Sequence, residues 1–287
     1  MKSHVVTRFA PSPTGFLHIG HAYAALCAYN YSKIHGGKFI LRIEDIDEDR
    51  CREKYVKAIY EDLDWLGLSW EQPVRKQSNH FDEYKVALKK LDSLGLLYPC
   101  FCTRRDIRDE IKRAGGAPHG PEGPIYPGTC KSIPIKRRDL KLTAGQPHAF
   151  RLDIEKALKL VGNQKWLEFN KGHQTAKPEV FGDIVIARKD IPTSYHLSVT
   201  VDDAIQGITL VTRGEDLATA TSLHCLLQSL LGLDTPAYLH HPLIMEDNGK
   251  KFSKRDNSTT IRALRLSGKS PKDIKKIIEK KTKVHLS

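Results

Sequence analysis

Nowhere in the 287 residues is there a run of 18 or more apolar residues, so no segment can cross a bilayer as a helix. Residues 1–6 lack an apolar signal core and pass straight into a strand-like run. The expectation is a cytoplasmic protein with no membrane partner. No internal repeat is found, which excludes solenoids and arrays. Acidic residues are comparatively scarce: 34 Asp and Glu face 46 Lys and Arg, for a net charge of +12. That scarcity is greatest in residues 250–287, with 13 Lys and Arg against 3 Asp and Glu. A basic end on an enzyme-sized chain points to a polyanion, nucleic acid first. The alternative is a solvated helical tail. At 40% hydrophobic and 28% charged, the chain is globular and long enough for one large domain or two modest ones.

The order of elements implies an α/β fold. Residues 5–10 suggest a buried strand, followed by the loop Pro11-Ser12-Pro13-Thr14-Gly15. An Ala-rich helix from about His21 ends at Gly36-Gly37, and residues 38–43 form a second strand. Amphipathic helices are predicted over 52–66 and 79–97. From Tyr98-Pro99-Cys100 the texture changes, and residues 114–134 form a Gly- and Pro-rich insertion with no periodic pattern. Strands are predicted at 148–154, 183–188, 196–201, 207–212 and near 237–245. A helix is predicted at about 217–231, and a final basic helix from about 271. Alternation of strands with helices implies a parallel sheet wound in βαβ units.

Two segments carry the chemistry. Arg8-Phe9-Ala10-Pro11-Ser12-Pro13-Thr14-Gly15-Phe16-Leu17-His18-Ile19-Gly20-His21 runs from strand through tight loop to helix start. Free N–H groups and the positive dipole end favour an anion there. His18 and His21 lie near one another on the first turn, and both can donate to a phosphate. Gly20 lets a flat ring approach the backbone. Read alone, these are as readily two surface histidines. The second segment, Lys250-Lys251-Phe252-Ser253-Lys254-Arg255, follows the turn Asp247-Asn248-Gly249. Its lysines can clamp a polyphosphate, though alone it is an ordinary basic loop.

Together these segments resemble the paired signatures of class I aminoacyl-tRNA synthetases. His18-Ile19-Gly20-His21 matches the His-Ile-Gly-His motif in full. Lys251-Phe252-Ser253-Lys254-Arg255 resembles the Lys-Met-Ser-Lys-Ser loop, with Phe252 and Arg255 as departures. The resemblance implies a Rossmann-type catalytic domain split by an insertion. It also implies catalysis by His18, His21 and Lys254, and ATP binding by His18, Gly20, His21, Lys251 and Lys254. Mg²⁺ is expected on the ATP phosphates.

The string Arg-Phe-Ala-Pro-Ser-Pro-Thr-Gly resembles the glutamate branch. So do Leu41-Arg42-Ile43-Glu44-Asp45, Val201-Asp202-Asp203 and Thr212-Arg213-Gly214-Glu215-Asp216. By that resemblance Arg8, Phe9, Ala10, Pro11, Ser12, Glu44, Tyr195 and Arg213 form the L-glutamate site. The chemistry agrees: Arg8 and Arg213 can each hold a carboxylate through a two-pronged contact, Glu44 the ammonium, and Tyr195 can donate its hydroxyl. Alone, Glu44 is one of a solvated acidic turn and Tyr195 is core packing.

Of six cysteines, Cys27, Cys51 and Cys225 are far apart and suit inert thiols. Cys100, Cys102 and Cys130 bracket the insertion, where three thiolates plus one ligand make a structural Zn²⁺ site. Free thiols are the alternative. On general chemistry His119 or His148 leads as the fourth ligand. Tyr126-x-x-x-Cys130, however, resembles the zinc pattern of a short glutamyl-tRNA synthetase relative, and that resemblance implies Tyr126.

The expected organisation is a first catalytic half over 1–98 and an acceptor-binding-like zinc insertion over 99–191. A second catalytic half follows over 192–249, then a lysine loop and short basic helical segment over 250–287. Only 32 residues follow Arg255, so no anticodon-binding domain is expected. The chain thus resembles the truncated paralogues, the glutamyl-Q tRNA(Asp) synthetases. These activate glutamate with ATP without tRNA, then pass it to the queuosine base at the wobble position. The tRNA(Asp) anticodon stem-loop is therefore the expected partner of a monomer. The alternatives are a truncated glutamyl-tRNA synthetase charging a tRNA 3′ end, an inactive RNA-binding module, and a small-molecule ligase of the same fold.

Overall fold

The computed structural model describes residues 5–114, 116–244 and 260–283. Lys251 and Lys254, both expected to bind ATP, lie outside the described residues. Strand Val6–Phe9 pairs in parallel with Lys38–Ile43, which pairs in parallel with Glu71–Lys76. On the other side, Val6 carbonyl accepts from Thr209 N–H at 3.0 Å, and Val6 N–H donates to Thr209 Oγ1 at 2.8 Å. These bonds bring strand Leu210–Gly214 alongside, and it pairs in parallel with Ala237–His241. Read across, the order of these five parallel strands is third, second, first, fourth, fifth, the doubly wound arrangement that leaves a crevice at the strands' carboxyl ends. A hairpin, Lys165–Glu168 and Gly172–Thr175, extends the far edge.

Helix Ile19–Ile34 lies on this sheet. Ala22, Ala25 and Ala28 are fully buried, so small side chains recur one turn apart and let the helix sit close. Thr7 Oγ1 donates to Ala28 carbonyl at 2.7 Å. Return to the second strand passes through Gly37, where a Cβ would stand 1.8 Å from Val5 carbonyl oxygen. Only glycine permits that approach.

The insertion hangs on a separate antiparallel sheet of Val185–Ala187, Ala149–Leu152 and Leu97–Cys100. Its first strand straddles residues 98 and 99. Helices Arg104–Arg113 and Ile135–Thr143 bury no residue, and the local core is Tyr98, Cys100, Phe101, Tyr126 and Cys130. Helix Pro271–Thr282, the basic helix expected from residue 271, buries Ile274 and Ile278 against the main core and leaves Lys272, Lys276, Lys280 and Lys283 exposed. Its inner face is therefore packed rather than solvated.

One expectation is corrected. Residues 196–201, expected as a strand, lie in helix Tyr195–Ile205. His-Leu-Ser-Val-Thr-Val alternates like a strand. Yet Ser194 caps the helix, its side chain accepting from Leu197 N–H, and every residue from His196 to Asp203 is buried. A helix buried all round has no amphipathic stripe to read. Tyr195 thus opens a helix rather than a strand. The strand Glu71–Lys76 escapes notice for the opposite reason, being an edge strand with no buried residue.

Candidate active site

The carboxyl ends of the parallel strands face the insertion across a cavity of 930 Å³. Ser12, Thr14 and Glu44 line it from the sheet, Ser194 and Tyr195 from the buried helix, and Cys102, Glu122 and Arg151 from the insertion.

The two histidines cap the first helix reciprocally. Gly20 N–H donates to His18 Nδ1 at 3.1 Å, and His18 N–H donates to His21 Nδ1 at 3.2 Å. A neutral imidazole that accepts at Nδ1 carries its proton on Nε2. Both rings therefore present Nε2–H, with centroids 3.7 Å apart. Gly20 is fitted tightly beneath them: a Cβ there would meet His18 Cε1 at 3.0 Å. Past the undescribed lysine segment the chain returns to this spot, where Thr260 forms a β-bridge with His18 and Ile261 N–H donates to Leu17 carbonyl at 2.8 Å.

Beside them lies a buried charge network. Arg8 reaches Asp203 with Nε at 3.1 Å and Nη2 at 3.4 Å, and Thr212 carbonyl with Nη1 at 3.2 Å. Arg42, wholly buried, meets Asp203 at 2.8 Å, Glu44 at 3.2 Å and Asp202 at 3.7 Å. Burial raises the Glu44 carboxyl above its ordinary range, against the pull of Arg42 and Arg8. At Asp203 the same burial is outweighed by Arg8 and Arg42, which hold the carboxyl down. Glu44 is the carboxylate in this network that gains most from an added cation. Its backbone is fixed by an N–H bond to Pro11 carbonyl at 3.1 Å.

Arg213 leaves the end of its strand between two histidines. Nε donates to His240 Nε2 at 3.2 Å, Nη1 to His224 Nδ1 at 3.1 Å and Nη2 to Thr221 Oγ1 at 2.6 Å. His240 in turn contacts Glu168 Oε2 through Nδ1 at 2.7 Å. Burial and Arg213 push the His224 ring far below its ordinary value, so it stays neutral. Arg8 and Arg213 each commit three of the five N–H groups a guanidinium owns to contacts among the described residues, which leaves each a pair for an incoming carboxylate.

In the insertion, the sulfurs of Cys100, Cys102 and Cys130 all lie within 4.8 Å of one another. Tyr126 Oη sits 3.5 Å from Cys100 Sγ and 3.7 Å from Cys102 Sγ, and accepts from Cys130 N–H at 2.8 Å. Burial works against the Cys130 thiolate. Hydrogen bonds with Tyr126, Phe101 N–H and Cys102 outweigh it and hold the thiol below its ordinary value, whereas burial pushes Cys102 up to about 12. Three thiols and a phenol converging on one point form a donor set that suits zinc. The histidines stand apart: His148 spends Nδ1 on Gln146 carbonyl at 3.0 Å, and His119 lies exposed in a short hairpin.

Of the residues expected at the site, Ser12, Glu44 and Tyr195 line the cavity. Phe9 packs its ring into the core, opposite Arg8 by strand alternation. Sequence reasoning passed over Arg42, His196, His224, His240 and Glu122. A charged residue inside the apolar run Phe39-Ile40-Leu41-Arg42-Ile43 was a signal available for Arg42; the others carried none.

A family model described as "tRNA synthetases class I (E and Q), catalytic domain" matches residues 4–281. A glutamyl-Q tRNA(Asp) synthetase of Rhodobacter capsulatus is 45% identical over 96% of this chain and 99% of its own length. A glutamate–tRNA ligase of Aquifex aeolicus is 38% identical over 94% of this chain but only 55% of its own length. The crystal structure of a glutamate tRNA ligase from Elizabethkingia meningosepticum, in complex with its amino acid, superposes with a TM-score of 0.75 at 30% identity, covering 88% of this chain and 52% of that one. The chain belongs to the class I glutamyl and glutaminyl tRNA synthetase family and, within it, to the glutamyl-Q tRNA(Asp) synthetases.

Proposed function

We propose that the protein activates L-glutamate with ATP to glutamyl-adenylate, without needing tRNA, and transfers the glutamyl group to the queuosine base at the wobble position of tRNA(Asp). The single observation that supports this best is the 45% identity to a glutamyl-Q tRNA(Asp) synthetase over 99% of that protein's length. Arg8 and Arg213 hold carboxylates, Glu44 takes the ammonium, and Tyr195 donates to a carboxylate oxygen. Ser12 and the backbone of Phe9, Ala10 and Pro11 wall the pocket. His18 and His21 donate Nε2–H to the α-phosphate as charge builds on it, while Gly20 leaves room for the nucleotide. Lys251 and Lys254 bind the departing pyrophosphate, and Mg²⁺ travels with ATP. A hydroxyl of the queuosine ring attacks the acyl carbon, and AMP leaves.

The domain reading carries over: catalytic halves over 1–98 and 192–249, an acceptor-binding-like insertion over 99–191, and a C-terminal segment over 250–287. Cys100, Cys102, Tyr126 and Cys130 would hold one Zn²⁺, whose work is to cross-link an insertion poor in core. Working as a monomer in the cytoplasm, the protein has the tRNA(Asp) anticodon stem-loop as its partner, met by the lysines of helix Pro271–Thr282.

Offering ATP, radiolabelled glutamate and separate tRNAs tests this. Labelling of queuosine-containing tRNA(Asp) and not of tRNA(Glu) is expected; the reverse would sink it. A second reading, charging of a tRNA 3′ end, is favoured by the 38% identity to a glutamate–tRNA ligase and predicts that reverse pattern.

A further inference from the structure

A line of hydrogen bonds runs from Arg213 out to the insertion. His224 Nε2 lies 3.2 Å from His196 Nδ1, and His196 Nε2 lies 2.9 Å from Glu122 Oε1. Glu122 belongs to the turn of the short hairpin His119–Gly120 and Gly123–Pro124, on the insertion. His196 and His224 sit on two packed helices, Tyr195–Ile205 and Thr221–Leu231, and are buried.

The polarity of this line has only one consistent direction. A guanidinium only donates, so His224 Nδ1 must accept from Arg213. The neutral His224 ring then carries its proton on Nε2 and donates to His196 Nδ1. His196 therefore carries its proton on Nε2 and donates to Glu122, which as a carboxylate only accepts. Reversing either ring would set Arg213 N–H against His224 N–H in a buried site, a donor facing a donor. The two ends fix the direction, and one end is a residue of the insertion.

We propose that Glu122 is a positioning residue for Arg213: it sets the proton positions of His196 and His224 and so aims the guanidinium into the cavity. It also makes the glutamate pocket sensitive to where the insertion hairpin sits. The consequence for glutamate rests on the assignment of Arg213 to a glutamate carboxylate. Arg213 keeps its bonds to Thr221 and His240 without the line, so the effect falls on aim rather than on folding.

Glu122 is 59% exposed at its side chain, so substitutions there leave the fold intact. Two variants separate the roles. Glu122→Gln keeps an acceptor oxygen; Glu122→Lys offers only donors. With ¹⁵N-labelled histidine, wild type and Glu122→Gln should show His224 and His196 bare at Nδ1 and protonated at Nε2. Glu122→Lys should lose that pattern at His196. In glutamate-dependent ATP–pyrophosphate exchange, the KM for glutamate should rise roughly tenfold in Glu122→Lys, with kcat and the KM for ATP held, and Glu122→Gln should stay within about twofold of wild type. Unchanged ring nitrogens in Glu122→Lys overturn the proposal. Ring nitrogens that change while the KM for glutamate stays put support the relay and overturn instead the assignment of Arg213 to glutamate.

Discussion

The parallel-sheet half and the insertion hold their polar groups in place by opposite means. In the sheet half, Arg8, Arg42, Asp202 and Asp203 are buried on rigid elements and lock one another. Their desolvation is offset by mutual pairing. In the insertion, two helices bury nothing and a handful of aromatic and cysteine side chains form the core. There the convergence of Cys100, Cys102, Tyr126 and Cys130 takes the place of a core. A site that must align small charges is built on packed strands, whereas a segment that reaches over it is held at a single point.

Breaking the first means should cost most. Arg42→Met strands three buried carboxylates, Glu44, Asp202 and Asp203, and should destabilise the protein by about 3–5 kcal/mol in urea unfolding. A loss below about 1 kcal/mol would mean that water reaches the network. Cutting the single point of the insertion should have a more local effect. Cys130→Ser should lower bound zinc from one equivalent to none and speed proteolysis within 101–148, while the sheet half stays folded. A wild-type protein without zinc that resists protease equally would show that the aromatic cluster suffices.

The smallest effect sharpens the comparison from within the sheet half. Asp62, on helix Glu53–Trp65, is buried with neither carboxyl oxygen hydrogen-bonded, and burial raises it to about 6 despite Arg265 at 3.6 Å. The folded protein then holds this proton more tightly than the unfolded chain, whose Asp titrates near about 3.9. Stability from this group therefore falls as pH rises from about 4 to about 6, and is flat above. Asp62→Asn should remove that slope and stabilise the protein by roughly 1–3 kcal/mol at pH 7. An unchanged slope in denaturation midpoints across that window would place the titration elsewhere.

The same contrast explains what could be read without coordinates. Strand Val6–Phe9, helix Ile19–Ile34 and strand Lys38–Ile43 were legible because their apolar patterns and the Gly36-Gly37 break are local. His18 and His21 were legible from spacing, but their reciprocal capping was not, since the direction of an Nδ1 hydrogen bond has no sequence mark. Helix Tyr195–Ile205 was misread because burial on all sides erases its period. Helices Arg104–Arg113 and Ile135–Thr143 were missed because they bury nothing and so show no apolar stripe. The line from Arg213 to Glu122 joins residues 91 positions apart through two helices, and no local pattern announces it.

The account turns on where the glutamyl group ends up. After reaction with ATP and labelled glutamate, queuosine-containing tRNA(Asp) is cut with nuclease and the label is located. Label in the anticodon stem-loop fragment, released by mild alkali, is the expected result. Label confined to the 3′-terminal adenosine would contradict it.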